Sequence, residues 1–130
     1  MKIDIKNKTD MKSHVIFYAT KLEIFRERQS KFYDYNSILY IYYDKPYSII
    51  KYLGLEKLLL IQYPISKFAE HLPNIFFRNG RSCIVKFSKV VNFDVQKQEI
   101  IMSDSKVFQL ANSQKEEFMR RLLKIKLKRR

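Results

Sequence analysis

A chain whose apolar residues come in short runs about ten residues apart has few folds open to it. Here such runs occupy residues 15–18, 22–25, 37–43, 47–53 and 57–63, then 75–77, 83–87, 90–93, 98–102 and 106–110. All are strand-length, and none approaches the roughly 20 apolar residues that a membrane-crossing helix needs. Turn formers close several of them: Asp44-Lys45-Pro46, Gly54, Pro64 and the pair Asp104-Ser105. Tyr and Phe recur within the runs, and aromatic side chains favour a pleated, half-buried surface. Two Gly and three Pro in 130 residues pull the other way, because tight turns usually draw on both. The pattern predicts a mainly β domain of antiparallel strands, joined as a meander or sandwich.

Two segments break the period. Ser66 stands at a capping position, Phe68 and Leu72 are spaced i, i+4, and Pro73-Asn74 ends the run. A short central helix is predicted over 66–71. The clearer helix is the last segment. Asn112 or Ser113 caps it, and Glu116 and Glu117 suit its positive pole. Phe118, Leu122 and Ile125 then fall at i, i+4 and i+7. Lys124, Lys126, Lys128, Arg129 and Arg130 lie at the negative pole.

The chain carries 26 Lys and Arg against 13 Asp and Glu, a formal net charge of +13. Self-repulsion of that size opposes a compact state, so a polyanionic partner is expected. Nucleic acid comes first and an anionic membrane surface second. The excess is uneven. Residues 119–130 hold seven basic side chains and no acid, and the other 118 residues carry a net +6.

Catalysis finds no support. His14 and His71 are far apart and lack partners at metal-ligand spacing. Gly54 and Gly80 are solitary, so no glycine-rich phosphate loop is present, and no nucleophile elbow occurs. The reading is of a protein that is not an enzyme and has no cofactor, metal or small-molecule substrate. The one cysteine, Cys83, lies in an apolar run, where a buried inert thiol is expected. Residues 1–10 alternate charged and apolar side chains without a signal-peptide core, and a cytoplasmic location is expected.

The most informative stretch is residues 75–90, IFFRNGRSCIVKFSKV. Locally, Asn79-Gly80 between apolar runs reads as a type I′ hairpin turn. Arg78, Arg81 and Lys86 gather charge around it. Arginine is suited both to bidentate reading of guanine and to gripping phosphate.

This stretch resembles the LytTR DNA-binding domain of bacterial response regulators. That family's pattern runs F-x-R-x-H-R-S-x-x-V-N, and Phe76, Arg78, Arg81, Ser82 and Val85 stand at its positions. Residues 38–41 look like the family's I-x-Y-I strand, Tyr47 follows it, and the short helix precedes the motif. A hairpin over 98–110 and a polar-to-helix transition at Asn112 close the likeness, which spans about residues 20–124. The chain departs from the pattern at Gly80, where His is usual, at Lys86, where Asn is usual, and at Asn112, where an Arg after a Ser is common.

The resemblance implies an elongated fold of three antiparallel sheets whose loops enter successive major grooves. It implies a sequence-specific transcription regulator without a receiver, binding double-stranded DNA at paired direct repeats and self-associating there. It divides the chain into an N-terminal arm or edge strand over 1–20, the DNA-binding domain over 21–124 and a basic tail over 125–130. Three places then face DNA: the loop near Lys45 and Tyr47, the loop from Asn79 to Ser82 with Arg78 beside it, and the helix start from Asn112 to Lys115. Arg81 reads bases, and Asn112 pairs with adenine. Lys45, Ser82, Lys86 and Lys115 position phosphates. Tyr47 contacts a thymine methyl or a phosphate, or is simply a tyrosine on a strand surface. The resemblance also turns residues 82–86 into a loop with a helical turn instead of the second arm of a hairpin.

Two other readings stay open. The departures at Gly80 and Lys86 suit a module of the same fold that docks on another protein. Leu122, Leu123, Ile125 and Leu127 among the terminal cations suit attachment to a membrane surface. Against the latter, Phe118 and Leu122 fit a core-facing stripe.

Overall fold

The computed structural model describes residues 13–128, with side chains described through residue 124. It is built of three antiparallel sheets and two α-helices. The first sheet has the order β1-β2-β3, from His14–Phe17, Lys21–Arg26 and Gln29–Asp34. The large sheet contains β4 (Ile38–Asp44), β5 (Tyr47–Tyr52), β6 (Leu59–Ile61), β7 (Phe76–Asn79) and β8 (Cys83–Lys86). Its order is β6-β5-β4-β8-β7. The third sheet is β11-β10-β9, from Val107–Gln109, Glu99–Met102 and Val90–Asp94. Helix α1 spans Ile65–His71 and α2 spans Lys115–Lys128. Among the described residues no helix is long and apolar enough to cross a membrane.

The large sheet is the middle layer, and this explains the texture of the sequence. One core joins Leu22, Ile24 and Tyr33 of the first sheet and Phe68 of α1 to Ile38, Ile41, Ile50, Ile61, Phe76 and Ile84 of the large sheet. A second core joins Ile100 and Met102 of the third sheet and Phe118 of α2 to Leu39, Tyr40, Phe77, Cys83 and Val85. Strands covered on both faces need apolar residues at both parities. Hence β4 and β8 read as continuous runs, whereas β2 alternates, with Leu22 and Ile24 inward and Phe25 outward.

Several local expectations are corrected. Residues 83–86 form strand β8 and pair with β7, Phe76 opposite Lys86 and Asn79 opposite Cys83. They are therefore the second arm of a hairpin, not a loop with a helical turn. The reason is core demand: Ile84 fills one core, while Cys83 and Val85 fill the other. Asn79 lies in the strand, not at the centre of a two-residue turn. The loop is residues 80–82, with Gly80 in the left-handed region at φ 64°. Helix α1 begins from Pro64, which makes no side-chain cap, and Ser66 lies inside the helix. Asn112 opens a 3-10 turn, Asn112–Gln114, that leads into α2.

On α2, Phe118 is fully buried and Leu122 packs against the same core, as the stripe predicts. The Ile125 side chain and the tail residues Arg129 and Arg130 lie outside the described residues. Residues 1–20 include edge strand β1; the first dozen of them lie outside the described residues.

Cys83 is buried at 1 % exposure, and burial raises its thiol pKa despite a hydrogen bond from Asn79 Nδ2 at 3.3 Å. In the folded protein Cys83 should resist iodoacetamide at pH 8 and react once urea exposes it; equal rates in both states would contradict a buried thiol. Because the folded pKa is raised, its stabilising contribution is complete below the unfolded value of about 8.5 and is lost as pH climbs from there through the folded value.

Candidate nucleic-acid interface

The antiparallel pairing brings three connections to one end of the molecule. The β4–β5 turn at Lys45-Pro46 lies next to the β7–β8 loop, because β4 and β8 are neighbours and Tyr42 pairs with Cys83. Tyr43 N–H donates to the Ser82 carbonyl at 2.9 Å and extends that contact beyond the ladder. The β11–α2 connection is tied to the same loop by Asn79. Its Nδ2 donates to the Gln109 carbonyl at 2.8 Å, and its Oδ1 accepts from Ala111 N–H at 2.7 Å. A Cβ at Gly80 would come within 3.2 Å of the Ala111 Cβ, so the loop and the connection touch there.

Lys45, Arg78, Arg81, Ser82, Asn112 and Lys115 are all exposed at this end. Tyr47 is half-buried. Arg78 bends back, its Nε donating to the Gly80 carbonyl at 3.0 Å. That bond leaves the rest of its guanidinium fork outward. The Ser82 hydroxyl sits 3.4 Å from the Asn79 carbonyl, a weak contact. Asp44 and Glu116 flank the cations, so the end is basic without being free of acids.

Two residues expected at this surface lie elsewhere. Asn79 is 1 % exposed, and both ends of its amide are engaged with protein backbone. Lys86 is 5 % exposed at the opposite end of β8 and donates to the Asn36 carbonyl. Burial, with Lys89 nearby, lowers its pKa. Strand parity explains both: Asn79 shares the face of Phe77, and Lys86 shares the face of Ile84.

Sequence reasoning missed the braces behind the loops. The Tyr40 hydroxyl donates to Asp104 at 2.7 Å and links the large sheet to the β10–β11 turn. Burial, then that hydrogen bond, pushes the phenol pKa up. Lys106 sits 4.7 Å from the Tyr42 ring centroid. His71 stacks on Phe17 at 5.0 Å, and His14 lies beside Phe25. Among the described residues no group of His, Cys, Asp or Glu is placed to hold a metal ion.

Layered antiparallel sheets that gather exposed arginine, lysine and amide side chains onto connections at one end define a loop-presenting class of β domain. The chain belongs to the LytTR DNA-binding domain family, whose model matches residues 28–123. The match starts at the β2–β3 turn, so the first sheet has strands on both sides of its boundary. The fold is similar to a solved LytTr DNA-binding domain from Bacillus cereus, with TM-score 0.64 and 16 % identity over 82 % of this chain and 98 % of that one. No curated protein sequence matches this chain.

Proposed function

We propose that this DNA-binding domain is a transcription regulator that recognises a specific sequence through the three connections at its loop end. The observation that carries the reading is the tying of residues 80–82 to both the β4–β5 turn and the β11–α2 junction. Donors held in fixed relation to one another can match a pattern of base edges, whereas independently mobile cations would register charge alone. Arg81 is the base reader, since its planar fork suits the two acceptors of guanine. Asn112 reads adenine, and Arg78, Ser82, Lys45 and Lys115 hold phosphates. Tyr47 packs at the rim. Asn79 and Lys86 leave the contact set because neither reaches the loop surface. Two copies on direct repeats place two such ends on successive turns of the duplex.

Arg81→Ala should reduce binding to a cognate duplex selected from a random pool by about 1–3 kcal/mol while leaving binding to scrambled DNA nearly unchanged. Fluorescence anisotropy at fixed salt measures both. An equal loss on both duplexes would make Arg81 a phosphate contact and overturn its role as reader.

A further inference from the structure

At the far end of the β7–β8 hairpin lies a second basic feature that loop reading does not use. An open groove of about 700 Å³ runs between the 3-10 turn Tyr35–Ser37, the chain entering β7, the turn Phe87–Lys89 and α2. Four cations line it, Lys86, Arg120, Arg121 and Lys124, against one carboxylate, Glu117. That carboxylate is already held by Arg120, the one ion pair among the described residues.

Of the other three, Arg121 and Lys86 are held in place, and neither makes an ion pair. Arg121 lies over Phe87, 4.6 Å from its ring centroid, and donates to the carbonyls of Asn74 and Phe76. Lys86 is nearly buried, and its ammonium has one partner, the neutral Asn36 carbonyl. Taking a cation out of water without an opposite charge is costly, and an anion beside it removes much of that cost. Guanidinium and ammonium groups grouped in this way suit an oxyanion with several acceptor oxygens.

We propose that this groove binds a phosphate group. Two sources share that chemistry: a backbone phosphate of DNA flanking the loop-contacted bases, or the phosphate of a small free ligand. From Ser82 in the loop to Lys86 at the far end of β8 is four residues, at most about 13 Å of extended chain. A duplex held at the loops covers that distance in about four base pairs. The DNA source rests on the loop-reading proposal above, and the free-ligand source does not.

The test compares the full chain with the double variant Arg120→Gln, Lys124→Gln, both exposed positions. Inorganic phosphate and pyrophosphate are titrated at constant ionic strength against a chloride control, with amide chemical shifts as readout. If a free phosphate is the ligand, shifts around Lys86 and Arg121 saturate, and the variant weakens binding at least tenfold. If DNA is the source, the slope of log affinity against log salt for a long duplex becomes shallower by about 0.9 for each phosphate lost. The preference for cognate over scrambled sequence is then unchanged. Shifts that follow ionic strength alone, together with an unchanged salt slope, overturn the proposal. Arg81→Ala separates it from the loop reading, because that variant should lose sequence discrimination with both groove readouts intact.

Discussion

Phe118→Ala is expected to lower the unfolding free energy by about 3–5 kcal/mol, the range for emptying a fully buried aromatic site. The ring has no exposed surface. It meets Phe77 of β7 at 5.2 Å, Phe87 at 5.3 Å and Phe93 of β9 at 4.9 Å between centroids. Those three rings come from different parts of the fold, so no single small shift closes the space left behind. Among the described residues, Phe118 and Leu122 are the apolar side chains by which α2 joins this core. Isolated helices of this length are marginal in water, so the helix depends on that packing. Loosening α2 should unseat Asn112 and Lys115 at its start and weaken DNA binding even where the sheets remain folded. Urea unfolding followed by circular dichroism measures the stability. A loss below about 1 kcal/mol, the centre of ordinary substitutions, would show that the helix is not anchored there. Phe118→Leu, which keeps most of the apolar contact, should lose less.

How much of this was legible in the sequence depends on how many faces of a strand are buried and on what forms its turns. The middle sheet was plain to read because both of its faces are covered, which makes its strands uninterrupted apolar runs. Strand β3 was not, because Gln29, Ser30 and Lys31 are polar and the turn before it is Glu27-Arg28. Both turn residues take positive φ, 52° and 64°, as a two-residue hairpin turn demands, without the usual Asn or Gly. Gln98 and Ser105 do the same. This is how a chain with only two glycines makes so many tight turns, and why their scarcity misled as an argument against sheet. At residues 82–86 the local apolar pattern was the better guide, since a strand between two cores needs apolar side chains on both faces. Arg81 and Ser82 could be read as exposed because they fall between strand arms. The inward positions of Asn79 and Lys86 follow from parity only once the end of β7 is known, and the Asn-Gly pair suggested that end one residue too early.

That single residue decides what Asn79 does, and Asn79→Leu is the substitution that tests it. Leu has similar bulk and removes both polar atoms, leaving Ala111 N–H and the Gln109 carbonyl without partners. Each such group costs about 1–3 kcal/mol where water cannot replace the bond, and both bonds are only part-buried, so a loss of about 2–4 kcal/mol, the lower part of the summed range, is expected. The same two bonds hold the β11–α2 connection against the β7–β8 loop. Cognate DNA affinity should therefore fall at least about tenfold, roughly 1.4 kcal/mol, under conditions where the variant is still folded. Asn79→Asp separates a brace from a mere space-filler. It keeps the acceptor for Ala111 but sets a carboxylate against the Gln109 carbonyl. The deficit should be largest near pH 7 and shrink toward pH 4, because the protonated carboxyl donates to Gln109 as the amide does. A space-filling role predicts full stability in Asn79→Leu and no narrowing of the Asn79→Asp deficit with acid. The brace predicts the opposite in both variants, and it accounts for an amide that is buried one residue from the loop proposed to read DNA.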